Sequence, residues 1–122
     1  MPDLDQLSRE VAAAGDEWMV PGVEVITPRG TVRRIHAVGL PFGAVAGMTR
    51  HGSRTVWKAI AGTRPNLRDP VTVNAMLGNG VVYQAVDDLW NANCGQDSTT
   101  WAAASDRTAA ICRAWIAARG KQ

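Results

Sequence analysis

The pair Asn79-Gly80, set between VTVNAML and VVYQAV, is the strongest turn signal in the chain. Both central residues of a tight two-residue hairpin loop need positive φ, which Asn and Gly tolerate well. With that loop fixed, Leu77 opposes Val82, Ala75 opposes Gln84 and Val73 opposes Val86. Val71, Val73, Ala75 and Leu77 then share one sheet face with Val82 and Val86, which makes it a core face. The expectation is a β-hairpin over residues 71–86, ended by Asp87-Asp88.

Other segments add helices and strands around that hairpin. Leu4, Leu7, Val11 and Ala14 recur at spacings of three and four, which predicts an amphipathic helix capped by Asp3 and stopped by Gly15. After Pro21-Gly22, the β-branched run VEVITPRGTVRRIHAV predicts two strands joined near Arg29-Gly30. GLPFGAVAGMTRHGSRTVWKAI places a second turn at His51-Gly52; strands fit its second half, although Val56 and Ile60 are also spaced for a short helix. A C-terminal helix is expected from Asp97 or Ser98 to about Arg119, stopped by Gly120. Trp101, Ala104, Thr108, Ile111 and Trp115 would form its bulky stripe, with both tryptophans buried on the sheet.

These elements define an α+β chain: a small, mostly antiparallel β-sheet flanked by an N-terminal and a C-terminal α-helix. At 122 residues and 13.0 kDa it has room for a single domain, residues 1–122, with one core. The succession of short strands around 23–38 and 71–90, with VEVITPRGTV early and LGNGVVYQAVDDL late, resembles an SH3-like barrel. That resemblance implies a sheet curled on itself and leaves function open, since such barrels bind peptides, RNA or DNA.

Charge separates along the chain more sharply than a net +2 suggests. Residues 1–28 hold six carboxylates against Arg9 alone, whereas residues 29–68 contain eight cations and no Asp or Glu. Those cations are Arg29, Arg33, Arg34, Arg50, Arg54, Lys58, Arg64 and Arg68. Eleven of the thirteen cations in the chain are Arg, whose planar fork grips phosphate bidentately. Abundant Ala, Gly and Arg also fit a GC-rich genome, bacterial or phage. Trp57, directly before Lys58, and Phe42, His36 and His51 interleave rings with these cations, the combination that holds single-stranded nucleic acid. The counter-reading is cancellation, with the acidic N-terminal helix packed over the basic strands.

Catalytic and cofactor patterns are weak by comparison. A nucleophilic Cys94 would need His36 or His51 as base and Asp87 or Asp88 to orient it, and nothing in the spacing singles out that set. Cys112, among alanines, reads as a small buried hydrophobe. The histidines lack a metal-ligand spacing, and neither GxxxxGK[ST] nor GxGxxG occurs, so no cofactor is expected. No stretch is apolar enough to span a membrane, and MPDLDQLSRE is unlike a signal peptide, so a cytoplasmic, non-membrane protein is expected. The functional expectation is a non-enzymatic module that binds nucleic acid through Arg29, Arg33, Arg34, Arg50, Arg54, Trp57, Lys58, Arg64 and Arg68. The alternative is a small bacterial or phage protein that docks on and modulates another protein, because Arg and Trp are enriched in interface hot spots.

Overall fold

The computed structural model of the chain describes residues 3–58, 61–94 and 101–120. It begins with helix α1 (Leu4–Ala14), capped as expected by Asp3, whose carboxylate accepts the Asp5 and Gln6 amides at 3.1 Å each. Two of the four amides that a helix start leaves without intrahelical partners are thereby satisfied. Leu7 and Val11 are buried, and the buried Ser8 hydroxyl donates to the Pro65 carbonyl at 2.6 Å, which ties α1 to the edge of the first sheet.

That sheet contains β1 (Glu24–Ile26), β2 (Val32–Ala37), β3 (Ala44–Thr49), β4 (Arg54–Lys58) and β5 (Arg64–Pro65). All its pairs are antiparallel, in the order β4-β3-β2-β1-β5. Two of its turns share one design: Thr27-Pro28-Arg29-Gly30-Thr31 and Thr49-Arg50-His51-Gly52-Ser53. In each, a glycine takes positive φ (85° at Gly30, 84° at Gly52), and the leading Thr hydroxyl accepts the amide four residues on at 3.1 Å. The turns expected at Arg29-Gly30 and His51-Gly52 are therefore real hairpins.

The β-hairpin expected over residues 71–86 does not form; its first half is helix α2 (Pro70–Leu77). Asp69 and Pro70 decide this. The Asp69 carboxylate caps the helix by accepting the Thr72 amide at 3.1 Å, and Pro70 occupies the first turn, where its missing N–H costs nothing. Burial of Thr72, Val73 and Met76 then outweighs the strand preference of Val and Thr. Asn79-Gly80 only links α2 to the next strand. Gly80 is still required, because a Cβ there would lie 2.8 Å from the Leu77 carbonyl oxygen and collide with that of Asn93.

The second sheet is β6 (Val81–Gln84), β7 (Trp90–Asn93) and β8 (Trp101–Ala104), antiparallel in the order β6-β7-β8. Its hairpin closes over Ala85–Leu89, where the Ala85 amide donates to the Leu89 carbonyl at 2.8 Å and Asp88 takes a φ of 64°. The expected C-terminal helix is shorter than the sequence suggests: residues 101–104 are strand, and α3 spans Arg107–Gly120. Its cap is Asp106, which accepts the Ala109 amide at 3.0 Å; the expected caps Asp97 and Ser98 lie outside the described residues. Trp115 is buried at 2% exposure, but Trp101 sits on β8 at 42%, so the expected stripe of two buried tryptophans is not formed.

Helix α3 packs against α1, α2, β7 and β8 through Ala109, Ala110, Ile111, Cys112, Ala114 and Trp115, its small residues allowing close approach. Val25, Ile35 and Val45 from the first sheet and Ala92 and Ala104 from the second join the same buried cluster. The architecture is α+β with three helices and two antiparallel sheets among the described residues. The single sheet curled into an SH3-like barrel is corrected: α2 separates β5 from β6, and neither sheet closes.

Candidate nucleic-acid interface

Side chains of the first sheet alternate between an inner face, which carries Val25, Ile35 and Val45, and an outer face. Register aligns Glu24, Arg34, Met48 and Arg54 in one outer row across β1 to β4. On the edge strand β4, Arg54, Val56 and Lys58 all point outward and are exposed, with Val56 at 66%. His36 lies on the same side, and Glu24, Arg34, His36, Met48 and Arg50 line an open depression of about 270 Å³. At one end of this face is the turn bearing Arg50 and His51. At the other, Phe42 stands 90% exposed at a φ of 63°, two residues before Ala44, which pairs with Lys58.

The nine expected site residues separate into four groups. Arg29, Arg54 and Lys58 are exposed and form no ion pair among the described residues. Arg34 and Arg50 reach the nearly buried Glu24 at 3.3 and 2.9 Å, and Arg34 also binds Asp69 at 3.0 Å and the Gly22 carbonyl at 2.8 Å. Arg33 points to the opposite face from its neighbour Arg34 and stacks over Trp57, its guanidinium carbon 4.9 Å from the ring centroid. Trp57 in turn lies across Gly47, where a Cβ would be 2.8 Å from the ring. Arg64 and Arg68 share Asp5 at 3.3 and 3.1 Å, on and beyond the opposite edge strand β5, four strand spacings or roughly 19 Å from β4.

Cancellation by acids is therefore real but local. Hydrogen bonding from Arg68, aided by Arg64, holds the Asp5 carboxyl below its usual range. Burial would raise Asp69, yet hydrogen bonds from Arg34 and Thr72 outweigh it and hold that carboxyl low as well. Glu24 is fixed further by the Asn66 side-chain amide at 2.7 Å, and its backbone amide donates to the Thr72 hydroxyl at 2.8 Å. Sequence reasoning missed this Glu24–Arg34–Asp69–Thr72 network because its members are scattered over 48 positions and meet only when α2 docks on β1.

Among the described residues no catalytic arrangement forms around Cys94. Its thiol donates to the Ile111 carbonyl at 3.3 Å, and burial pushes its pKa to about 11, so it is not a thiolate at neutral pH. His36 and His51 belong to the other sheet, and Asp87 and Asp88 lie at the far end of β7. Cys112 is fully buried and is pushed to about 12. Among the described residues no three His, Cys, Asp or Glu side chains gather to hold a metal ion, and no helix is long and apolar enough to cross a membrane. No family model matches the chain, and neither a curated protein nor a solved structure matches it significantly.

Proposed function

We propose that the outer face of the five-stranded sheet binds nucleic acid. The observation that carries this reading is the pair Arg54 and Lys58, exposed on an edge strand with no carboxylate bound to either among the described residues. Around them the face carries, among the described residues, Arg34 and Arg50 against Glu24 and Asp69, so positive charge is left over, and Arg29 extends it at a turn tip. Phosphates meet Arg54, Lys58, Arg50 and Arg29. Arg33, Trp57, Arg64 and Arg68 support the fold, and Phe42 replaces Trp57 as the ring offered to a base. A residue that is both 90% exposed and held at positive φ gains nothing from burial and carries backbone strain, which favours a ligand role.

Fluorescence anisotropy with single- and double-stranded oligonucleotides at stepped salt concentrations tests the reading. Affinity should fall with salt by about 0.7 to 0.9 in log K per phosphate contacted, and Arg54→Glu with Lys58→Glu should abolish binding. Phe42→Ala should weaken single-strand binding by roughly tenfold without changing the salt slope. No binding of any of these probes at low salt would sink the proposal. The second reading, docking on and modulating another protein, rests on a different surface: exposed Val81, Tyr83 and Trp101 on the three-stranded sheet.

A further inference from the structure

Two sheets among the described residues have four edge strands, and an edge is a template for another strand unless something blocks it. Strand β4 carries Arg54 and Lys58, which would face like charges in a second copy of itself. Strand β5 is two residues long and includes Pro65, which has no amide to donate. Strand β8 is Trp-Ala-Ala-Ala, and alanine is a poor strand former. Strand β6 is Val-Val-Tyr-Gln, with no charge, proline or glycine, and Val81 and Tyr83 are 54% and 49% exposed. The uncharged run continues to Val86, which is fully exposed. Such a window has the composition of a strand that pairs with copies of itself.

We infer that β6 is a self-pairing edge, through which two copies of the chain join antiparallel about a two-fold axis at Val82 to form one six-stranded sheet. Hydrogen-bond parity selects this register. The Ala85 amide donates to the Leu89 carbonyl at 2.8 Å; alternation along the ladder then gives Tyr83 and Val81 the bonds to β7 and turns the N–H and C=O groups of Val82 and Gln84 to the open edge. The outward Gly80 amide is already engaged by the Leu77 carbonyl at 2.8 Å, so Gly80 can offer only its carbonyl. Centred on Val82, the two strands exchange Val82 N–H to Val82 C=O bonds reciprocally, and each Gln84 N–H meets a Gly80 C=O. Every free donor finds a free acceptor. On the outer face Val81 of one copy lies across from Tyr83 of the other, a β-branched–aromatic pair of the kind that stabilises antiparallel strands. No formal charge opposes another, which is why a second copy fits this edge. The inference is independent of the nucleic-acid proposal.

Sedimentation equilibrium of the full chain from about 10 µM to about 1 mM should show a reversible monomer–dimer equilibrium. Tyr83→Lys should weaken it at least about tenfold, because the change enters twice at a two-fold interface. Gln84→Pro removes an outward N–H without touching a bond to β7 and should do the same, with its thermal midpoint reporting that the fold survives. Amide hydrogen exchange of the unaltered protein gives a readout that needs no variant: Val82 and Gln84 should become more protected as concentration rises. The inference is overturned by a chain that stays monomeric throughout, by a dimer indifferent to both variants, by one that leaves those two amides unprotected, or by open-ended polymers, which would mean pairing between unlike edges.

Discussion

The two sheets solve the problem of exposed strands in opposite ways. In the five-stranded sheet, the edges carry Arg54, Lys58, Arg64 and Pro65, and the outer face is a charged row built from Glu24, Arg34 and Arg54. In the three-stranded sheet, no residue of β6, β7 or β8 is charged, and the outer face offers Tyr83 and Trp101 in edge-to-face contact, their centroids 5.7 Å apart. Ionic edges repel a second strand and attract polyanions; uncharged edges do neither. One small chain therefore separates a charged surface from an uncharged one, with α3 packed behind the second sheet.

The largest expected effect tests whether that uncharged outer face is open. Trp115 lies behind the three-stranded sheet on α3 at 2% exposure, with the Arg119 guanidinium carbon 4.6 Å from its ring centroid, so Trp115→Ala should cost about 3 to 5 kcal/mol in denaturant unfolding. Trp101→Ala, on the exposed face, should cost less than about 1 kcal/mol. Equal losses would break the comparison, because they would mean that something covers the outer face.

The same contrast explains what could be read from the sequence. Strands β1 to β4 were legible, unlike β5, because the two Gly turns that join them are local: Thr, Gly and the intervening residues specify each hairpin within five positions. Helix α1 was legible for the same reason, Asp3 and the apolar spacing being close in sequence. The second half misled because two local signals conflict. Asn79-Gly80 favours a turn and Val71 and Val73 favour strand, yet Asp69-Pro70 starts a helix, and the docking of Thr72 against Glu24 settles the matter through contacts 48 positions apart. Trp101 was placed in a helix because its spacing to Trp115 suits one, but Asp106 supplies a nearer cap. At the candidate site, the cations were legible as residues and their partners were not: adjacent Arg33 and Arg34 face opposite sides, a consequence of strand geometry that only a known strand reveals.

An intermediate effect concerns acid. Because the folded Asp69 carboxyl titrates below its unfolded value near 3.8, the unfolded chain takes up the proton first. The stabilisation from its bonds to Arg34 and Thr72 is complete above about pH 5 and is lost progressively as pH falls through the unfolded and then the folded pKa. Asp69→Asn should flatten the acid limb of a stability–pH curve. Asp5→Asn should change it less, since the Asp5 side chain is 45% exposed and its pairs with Arg64 and Arg68 are screened by solvent. Equal changes would show that the charged row around Glu24 is no firmer than a surface pair.

The smallest expected effect comes from the one structural rule that both sheets share. Three of their hairpin loops, at 27–31, 49–53 and 85–89, place a residue at positive φ in the fourth position of five: Gly30 and Gly52 in the first sheet, Asp88 in the second. Glycine holds that conformation without a steric cost, whereas Asp tolerates it at a cost that its short polar side chain only partly relieves. Asp88→Gly should therefore raise stability by up to about 1 kcal/mol, offset in part by the greater freedom of glycine in the unfolded chain. The Gln84 side-chain bond to the residue 88 carbonyl, at 3.3 Å, and the Leu89 amide bond to the Asp87 carboxylate, at 3.2 Å, are untouched by the change. The reverse substitution, Gly52→Asp, should lower stability by a similar amount, measured as a shift in thermal midpoint of opposite sign. If Gly52→Asp is neutral, the Thr49 hydroxyl bond to Ser53 rather than the glycine holds the first-sheet loops, and the hairpins are alike in outline but not in cause.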